Sequence, residues 1–219
     1  MKPLYELYRP KSFAEVVGQD EALKKLDHLR RRGGLSGHVY WITGQSGTGK
    51  TTIARLIAAE VGDEWVIEVD SSDVMLDTVR EWERRCYIPA LGLAGARGQY
   101  VFLVNEAQEL RRDILGRLNT LLETEVVQRK STWIFTYTTE NASDTLFEKG
   151  NARPFLSRVC DIPLSRLGLA KAFAERAKEI AQKEGLDGKP IEAYVKLAQK
   201  HHNNFRAMLT DVEMGAMCE

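Results

Sequence analysis

Short apolar runs alternate with amphipathic segments along most of the chain. Segments with apolar side chains at helical spacing predict four helices: residues 20–32, 52–61, 76–85 and 112–125. Runs rich in β-branched and aromatic side chains predict four strands: residues 38–43, 65–69, 100–104 and 133–138. The third run, YVFLV, is apolar throughout, as expected of a parallel strand that is covered on both faces. The alternation therefore predicts an α/β fold with a parallel, doubly wound sheet and right-handed crossovers.

The pattern changes after about residue 163, where only helical spacing remains. Three further helices are predicted at residues 167–184, 191–202 and 205–217, with breaks at 185–190 and 201–204. We therefore expect two domains, an α/β domain at 1–163 and a small three-helix domain at 164–219.

Charge and composition restrict the function. The 219 residues contain 31 Lys+Arg and 31 Asp+Glu, so the formal net charge is zero. This balance argues against a surface that binds nucleic acid over its whole extent. It leaves room for a local basic stripe, for which Arg80 and Arg84 on one predicted helix are candidates; a merely solvated helix face is the alternative.

Cysteine usage and hydropathy bear on the compartment. The three cysteines are widely separated and lack metal-ligand spacing, which suits a reducing environment. No apolar run approaches the length of a membrane span, so no membrane partner is expected. We expect a cytoplasmic protein that is associated with the nucleoid. If its source is viral, the expected location is the host cytoplasm.

A glycine-rich segment between the first predicted strand and the following helix fits the pattern G-x-x-x-x-G-K-[ST]. Such a loop points backbone N–H groups at phosphate oxygens, and the helix N-terminus adds partial positive charge. Lys50 is expected to reach the β- and γ-phosphates, and the Thr51 hydroxyl to ligate Mg²⁺. The predicted ATP-phosphate site consists of Gly44, Gln45, Ser46, Gly47, Thr48, Gly49, Lys50, Thr51 and Thr52.

The second chemical motif follows the third predicted strand, where Asn105 and Glu106 come directly after VFLV. In a nucleotide hydrolase the first polar residue contributes to the Mg²⁺ site and the second orients or deprotonates water. Asn105 stands where Asp is expected, and its amide oxygen can accept hydrogen bonds but carries no charge. ATP binding is expected to survive this change, with Glu106 as the candidate base and hydrolysis weakened.

Beyond these motifs the chain resembles the clamp-loader branch of the AAA+ ATPases, which includes replication factor C small subunits and bacterial and phage clamp-loader subunits. Matching blocks occur in the family's order along nearly the whole chain: LYRP at 7–10, EVVGQ at 15–19, EVDSSD at 68–73, YTTE at 137–140, LSR at 156–158 and NFR at 204–206. The resemblance implies an AAA+ P-loop fold with a helical lid, and ATP with Mg²⁺ at a subunit interface.

The same resemblance implies particular residue roles. The N-terminal block, represented by Tyr8, Arg9, Pro10 and Val17, would border the adenine side of ATP. Thr138 would be a sensor near the γ-phosphate, and Arg206 a second sensor on the lid. Arg158 would act in trans, as a finger reaching a neighbouring subunit's γ-phosphate. The catalytic candidates are thus Glu106, Asn105, Thr138, Arg158 and Arg206.

The resemblance also implies partners: other AAA+ subunits in a suspected pentamer, a sliding clamp, and the backbone of primer–template DNA. Besides Asn105, Val159 departs from the family, which often has cysteine after the finger arginine. The family's C-terminal collar domain is expected to be absent here, whether the chain is shortened or naturally short.

Two alternatives remain open from the sequence. The chain could be another AAA+ motor, of the Holliday-junction branch-migration type, although those normally add a winged-helix domain. It could also be a nucleotide-responsive switch or scaffold with little hydrolysis, a reading that Asn105 motivates.

Overall fold

A five-stranded parallel sheet forms the centre of the larger unit. The computed structural model describes residues 2–62, 65–88, 90–91, 97–139 and 157–218. The strands are β1 (Val39–Gly44), β2 (Val66–Asp70), β3 (Ala90–Leu91), β4 (Arg97–Gly98), β5 (Tyr100–Asn105), β6 (Ser131–Thr138) and β7 (Cys160–Pro163). The parallel sheet has the order β2-β5-β6-β1-β7, and β3 and β4 form a separate antiparallel pair.

Helices connect and flank these strands. Helix α1 (Leu4–Leu7) comes first in the chain, and around the sheet lie α2 (Asp20–Gly33), α3 (Lys50–Gly62), α4 (Leu76–Tyr87), α5 (Arg112–Leu122) and α6 (Glu125–Lys130). The C-terminal part contains α7 (Ala170–Glu184), α8 (Ile191–Lys200) and α9 (Phe205–Glu213). The predicted parallel α/β sheet followed by a three-helix unit is confirmed.

Strand β5 lies between two apolar cores because its side chains alternate between the two faces of the sheet. Phe102 packs in the core beneath α4 and α5, with the Trp82 and Trp133 rings 5.4 and 4.3 Å from its own. On the opposite face Leu103 shares a core with Ile53 of α3. All six β5 residues are buried, which explains the apolar run in the sequence.

Several elements differ from the sequence prediction. Helix α1 and the pair β3–β4 were not predicted, and the last helix ends at Glu213 and not at residue 217. The single helix predicted at 112–125 is two helices, α5 and α6, because Thr124 between them has extended backbone angles (φ −74°, ψ 121°). The edge strand β7 was not predicted. It is only four residues long, with an exposed Asp161 and a terminal Pro163, so it lacks the apolar run that marks a central strand.

The helical unit has a core of its own, and the N-terminal helix packs into it. Leu4 of α1 is buried among α7, α8 and α9 side chains such as Tyr194 and Met208. The Leu4 N–H also donates to Glu213 Oε2 at 3.2 Å. Residues at the start of the chain therefore contact the C-terminal helices, although the sequence pattern placed them with 1–163.

Candidate nucleotide-binding and catalytic site

The glycine-rich loop lies between the carboxyl end of β1 and the first turn of α3. Helix α3 begins at Lys50, so its N-terminus opens directly into the loop. Gly47 has φ +76° and Gly49 φ +97°, values that L side chains rarely adopt. A Cβ at Gly47 would also overlap the Asn204 side chain at the start of α9. Glycine at 47 is therefore needed both for the backbone turn and for close approach of the helical unit.

Internal hydrogen bonds shape the loop. Thr48 Oγ1 donates to the Gln45 carbonyl at 2.8 Å, and Lys50 Nζ donates to the same carbonyl at 3.2 Å. The Lys50 side chain is buried, and Thr51 and Thr52 in the first turn of α3 line the adjoining pocket. An ammonium group and helix-terminal N–H groups thus converge on one concave surface, the arrangement that binds phosphate.

Gln19, just before α2, links this loop to the segment that leads into the helical unit. Its side chain is buried, and its Nε2 donates to the carbonyls of Thr48 (3.3 Å) and Ser165 (2.9 Å). The Ser165 N–H in turn donates to Gln19 Oε1 at 3.2 Å. Gln19 was absent from the predicted site residues, although the sequence block EVVGQ contains it.

The pocket above the loop lies between the α/β unit and the helical unit. Among the predicted residues, its lining contains Tyr8, Arg9, Pro10, Val17, the segment from Ser46 to Thr52, Glu106 and Arg206. Gly44 and Gln45 belong to the loop but not to this lining. Four further residues line the pocket and were not among the predicted site residues: Tyr5 of α1, Phe173 and Arg176 of α7, and Phe205 of α9. Phe205 belongs to the NFR block at 204–206, whereas no sequence motif marks Tyr5, Phe173 or Arg176 as pocket residues.

Glu106 follows β5 in a left-handed backbone conformation, with φ 52° and ψ 50°. Hydrogen bonds fix both sides of this residue: its N–H donates to Thr136 Oγ1 at 3.1 Å, and its carbonyl accepts from Ser71 Oγ at 2.6 Å. A left-handed conformation is costly for a residue with a side chain and persists where surrounding contacts determine it. The backbone therefore aims the Glu106 side chain at the pocket that it lines.

Two donors meet one oxygen of the Glu106 carboxylate. Thr138 Oγ1 donates to Oε2 at 2.7 Å, and Gln108 Nε2 donates to the same atom at 2.6 Å. Gln108 Oε1 also accepts from the Thr138 N–H at 3.0 Å, so the three side chains form a closed group. Among the described residues Oε1 of Glu106 accepts no hydrogen bond, which leaves it available to water. Thr138 was among the predicted site residues, whereas Gln108 was not.

The pKa of Glu106 lies below its ordinary value. Burial acts to raise this pKa, but the hydrogen bonds from Gln108 and Thr138 and the positive charges of Lys50 and Arg206 outweigh it. Glu106 is therefore a carboxylate at neutral pH. A carboxylate of lowered pKa is a weak base, so its arrangement suits orienting a water molecule better than storing a proton.

Asn105 does not line this pocket. Its buried side chain turns toward the neighbouring strand, where Nδ2 donates to Glu68 Oε1 at 2.8 Å. Its Oδ1 accepts from Thr136 Oγ1 at 3.4 Å. Both ends of the amide therefore contact protein groups, and the expected role of Asn105 at Mg²⁺ stays a prediction.

The predicted sensor Arg206 and the predicted finger Arg158 lie in different places. Arg206, in the first turn of α9, lines the pocket and places its guanidinium carbon 5.5 Å from the centre of the Tyr5 ring. Arg158 precedes β7, is partly exposed, and pairs with Glu123 at 2.8 Å. Arg158 does not line the pocket of its own chain, so any role at γ-phosphate requires another chain's site.

The predicted DNA contacts are exposed on α4. Arg80 pairs with Asp77 of the same helix at 2.7 Å, and Arg84 lies one turn further along. Both side chains are exposed, as a DNA-contacting surface and a solvated helix face would each require.

The pocket has the chemistry that Mg²⁺ with a nucleotide requires. Mg²⁺ usually takes one or two protein oxygens and completes its shell with phosphate oxygens and water. The Thr51 hydroxyl and the Glu106 carboxylate line the same pocket and fit this description. In the described segments, no separate cluster of three or more His, Cys, Asp or Glu side chains is arranged to hold a metal.

This combination of a parallel sheet, a phosphate loop after β1 and an acidic residue after β5 defines a P-loop ATPase. The family described as "ATPase family associated with various cellular activities (AAA)" matches residues 40–149, half of the chain. The chain belongs to the AAA family.

Relatives within this family are small subunits of replication factor C. The chain is 28% identical over 191 residues to small subunit 2 of Pyrobaculum aerophilum, covering 83% of this chain and 54% of that protein. It is 29% identical over 205 residues to the small subunit of Methanoregula boonei, covering 89% and 58%. The chain thus spans little more than half the length of these curated relatives. The resemblance to a clamp-loader-type ATPase is confirmed.

Solved structures show the same fold. RuvB of Thermotoga maritima superposes with a TM-score of 0.69 at 20% identity, covering 94% of this chain and 64% of that one. Among the described residues, no helix has the length and apolar character needed to span a membrane.

Proposed function

We propose that this protein binds ATP with Mg²⁺ in the pocket between its α/β and helical units and hydrolyses it as one subunit of a clamp-loader-like assembly. The observation that supports hydrolysis is the position of the Glu106 carboxylate. Its carboxylate faces the phosphate-loop pocket, with one oxygen occupied by Thr138 and Gln108 and the other available to water.

The proposed mechanism assigns a task to each group of the pocket. The N–H groups of the loop and the Lys50 ammonium bind the β- and γ-phosphates, and Thr51 would hold Mg²⁺ through its hydroxyl. The Mg²⁺ ion, when bound, offsets the charge that develops on the phosphates. Glu106 orients water toward the γ-phosphate. Thr138 keeps the Glu106 carboxylate in place and reports whether a γ-phosphate is present.

The test is Glu106→Gln. Loss of the oriented carboxylate should lower ATP turnover by about 100- to 10,000-fold while ATP binding is retained. Glu109→Gln is the matched control, because Glu109 is exposed three residues further along the same turn. Undiminished turnover in Glu106→Gln would assign the chemistry to another group and overturn this mechanism.

The proposed assembly contains several AAA+ subunits, with a pentamer as the expected form. Support comes from Arg158, which lies outside its own chain's pocket and partly exposed beside Glu123. In this arrangement ATP bound to one subunit meets Arg158 of the next, so that hydrolysis depends on assembly. The similarity to replication factor C small subunits supports the same arrangement.

A sliding clamp and primer–template DNA are the proposed partners. With Arg80 and Arg84 at the DNA backbone, binding should be independent of sequence and weaken steeply with salt. Fluorescence anisotropy with duplex DNA at increasing salt, in the presence of ATP, measures this. Salt-insensitive binding would remove the phosphate-contact proposal.

A second candidate function is a nucleotide-responsive scaffold with little hydrolysis. Asn105 favours it, because an uncharged amide stands where an acid is expected. Tight ATP binding without turnover, in the presence of DNA and a clamp, would select this function over the first.

A further inference from the structure

The strongest unassigned feature is a chain of hydrogen bonds that connects the helix after the phosphate loop to the backbone of Glu106. Arg55 of α3 binds the Glu68 carboxylate with both Nε (2.9 Å to Oε2) and Nη2 (2.9 Å to Oε1). The same Glu68 Oε1 accepts from Asn105 Nδ2 at 2.8 Å. From Asn105 the chain continues through Thr136 Oγ1 to the Glu106 N–H.

Each hydrogen bond in this series has a defined donor and a defined acceptor. Arg55 and Asn105 donate to Glu68, the Thr136 hydroxyl donates to Asn105 Oδ1, and the Glu106 N–H donates to Thr136 Oγ1. Asn105 is therefore a donor at one end and an acceptor at the other. Reversing the amide would place its oxygen against the carboxylate of Glu68, so only one orientation satisfies both neighbours.

Glu68 is a carboxylate in this arrangement. Burial acts to raise its pKa, but the hydrogen bonds from Arg55 and Asn105 outweigh burial and leave the pKa below its ordinary value. An ionised aspartate at position 105 could not donate to Glu68, and it would set a second carboxylate at hydrogen-bond distance from the first. Like charges so close raise the pKa of one member and oppose ionisation of both.

We propose that Asn105 and Glu68 form a matched pair, in which Glu68 and Arg55 are positioning residues that hold Asn105 and, through Thr136, the backbone of Glu106. Asn105 is then a requirement of this pair, and restoring an acid at 105 alone disrupts the site. The role of Glu106 in hydrolysis rests on the proposed function; the pairing itself does not.

The experiment is a set of variants followed by thermal unfolding from pH 5 to pH 8, without nucleotide. Asn105→Asp should lower the unfolding midpoint at pH 8 by about 3–8 °C. A carboxyl whose folded-state pKa is raised destabilises the fold at high pH, and the loss is relieved as pH falls toward the unfolded-state pKa. The deficit should therefore shrink toward pH 5.

A second substitution supplies the rescue. Asn105→Asp combined with Glu68→Gln reverses the donor and acceptor of the pair with the same net charge, and should return the midpoint to within about 2 °C of the parent at every pH. The matched control combines Asn105→Asp with Glu60→Gln. Glu60 also binds an arginine with both oxygens, accepting from Arg30 at 2.7 Å, but it does not contact Asn105. This control should give no rescue.

Turnover is measured on the same proteins. Asn105→Asp should hydrolyse ATP at least about tenfold more slowly than the parent, and the rescued variant should recover most of the loss. An Asn105→Asp protein as stable as the parent at pH 8, or equal rescue by Glu60→Gln, would overturn the pairing. If the parent shows no turnover, the proposed function fails while the unfolding series still decides the pairing. If thermal unfolding shows no coupling between positions 105 and 68 while the parent still hydrolyses ATP, only the pairing is overturned.

Discussion

Gly47 shows how one residue serves both the loop and the domain interface. Its positive φ forms the turn of the phosphate loop, and its missing side chain leaves room for Asn204. Asn204 in turn caps α9 by accepting from the Ala207 N–H at 3.2 Å. The residue that shapes the phosphate site therefore also sets how closely the helix bearing Arg206 approaches it.

For Gly47→Ala we expect the free energy of unfolding to fall by about 1–3 kcal/mol, from backbone strain and overlap with Asn204. ATP affinity should fall with it, because the N–H groups of the loop lose their alignment. Denaturant unfolding and calorimetric titration with ATP measure the two effects.

Gly116→Ala is the control for that experiment. Gly116 lies in α5 with open space where a Cβ would be placed. Alanine there should be neutral or stabilise the helix by up to about 1 kcal/mol. Equal behaviour of the two variants would contradict the special role of Gly47.

At the scale of elements, Gln19 joins three segments that are distant in the sequence. It lies at the start of α2 and bonds both the phosphate loop and the segment before α7. A side chain that satisfies buried backbone groups of two other segments fixes their relative position, because leaving those groups unpaired is costly. Gln19 thus links the position of the phosphate loop to the position of the helical unit.

Replacing Gln19 by alanine should lower the free energy of unfolding by about 1–3 kcal/mol, since the Thr48 and Ser165 groups lose their partner. ATP affinity should also fall, because the loop is no longer tied to the helical unit. Gln199→Ala, at an exposed position on α8, is the matched control and should change neither quantity. Loss of stability with unchanged ATP affinity would limit Gln19 to a packing role.

At the scale of the whole molecule, two groups expected to act at the γ-phosphate lie apart within one chain. Glu106 and Arg206 line the pocket, whereas Arg158 lies away from it beside Glu123. One chain therefore contains both halves of the proposed catalytic arrangement without bringing them together. Turnover by assembled chains is expected to exceed turnover by the isolated chain.

Mixing two inactive variants tests this expectation. Glu106→Gln and Arg158→Ala should each have little turnover, but an equal mixture should recover activity at about a quarter of its interfaces, where an intact Glu106 meets an intact Arg158. Turnover after mixing, with mass in solution measured alongside, is the readout. Arg129→Ala is the control, since Arg129 is exposed and paired with Glu125 at 2.6 Å. No recovery on mixing would place Arg158 outside the neighbour's site.

The sequence alone determined the parts whose geometry depends on consecutive residues. The phosphate loop follows from glycines at fixed spacing between a strand and a helix, and the parallel sheet follows from apolar runs that alternate with amphipathic segments. Both are local patterns, because backbone angles and side-chain periodicity are set within a few residues. The edge strand β7 was not predicted, because its pairing with β1 makes it a strand and its own sequence has no apolar pattern.

Only the tertiary structure decided which distant side chains meet. The register of β2 against β5 sets Asp70 opposite Asn105, so that Glu68 lies within reach of the Asn105 amide. The order of the strands likewise brings Thr138 to Glu106, and packing of the helical unit brings Arg206 to the loop. In the sequence, Asn105 stands where an acidic residue is expected. In the structure, its amide donates a hydrogen bond to Glu68. The difference arises because hydrogen-bond partners depend on strand order and register, which no local pattern encodes.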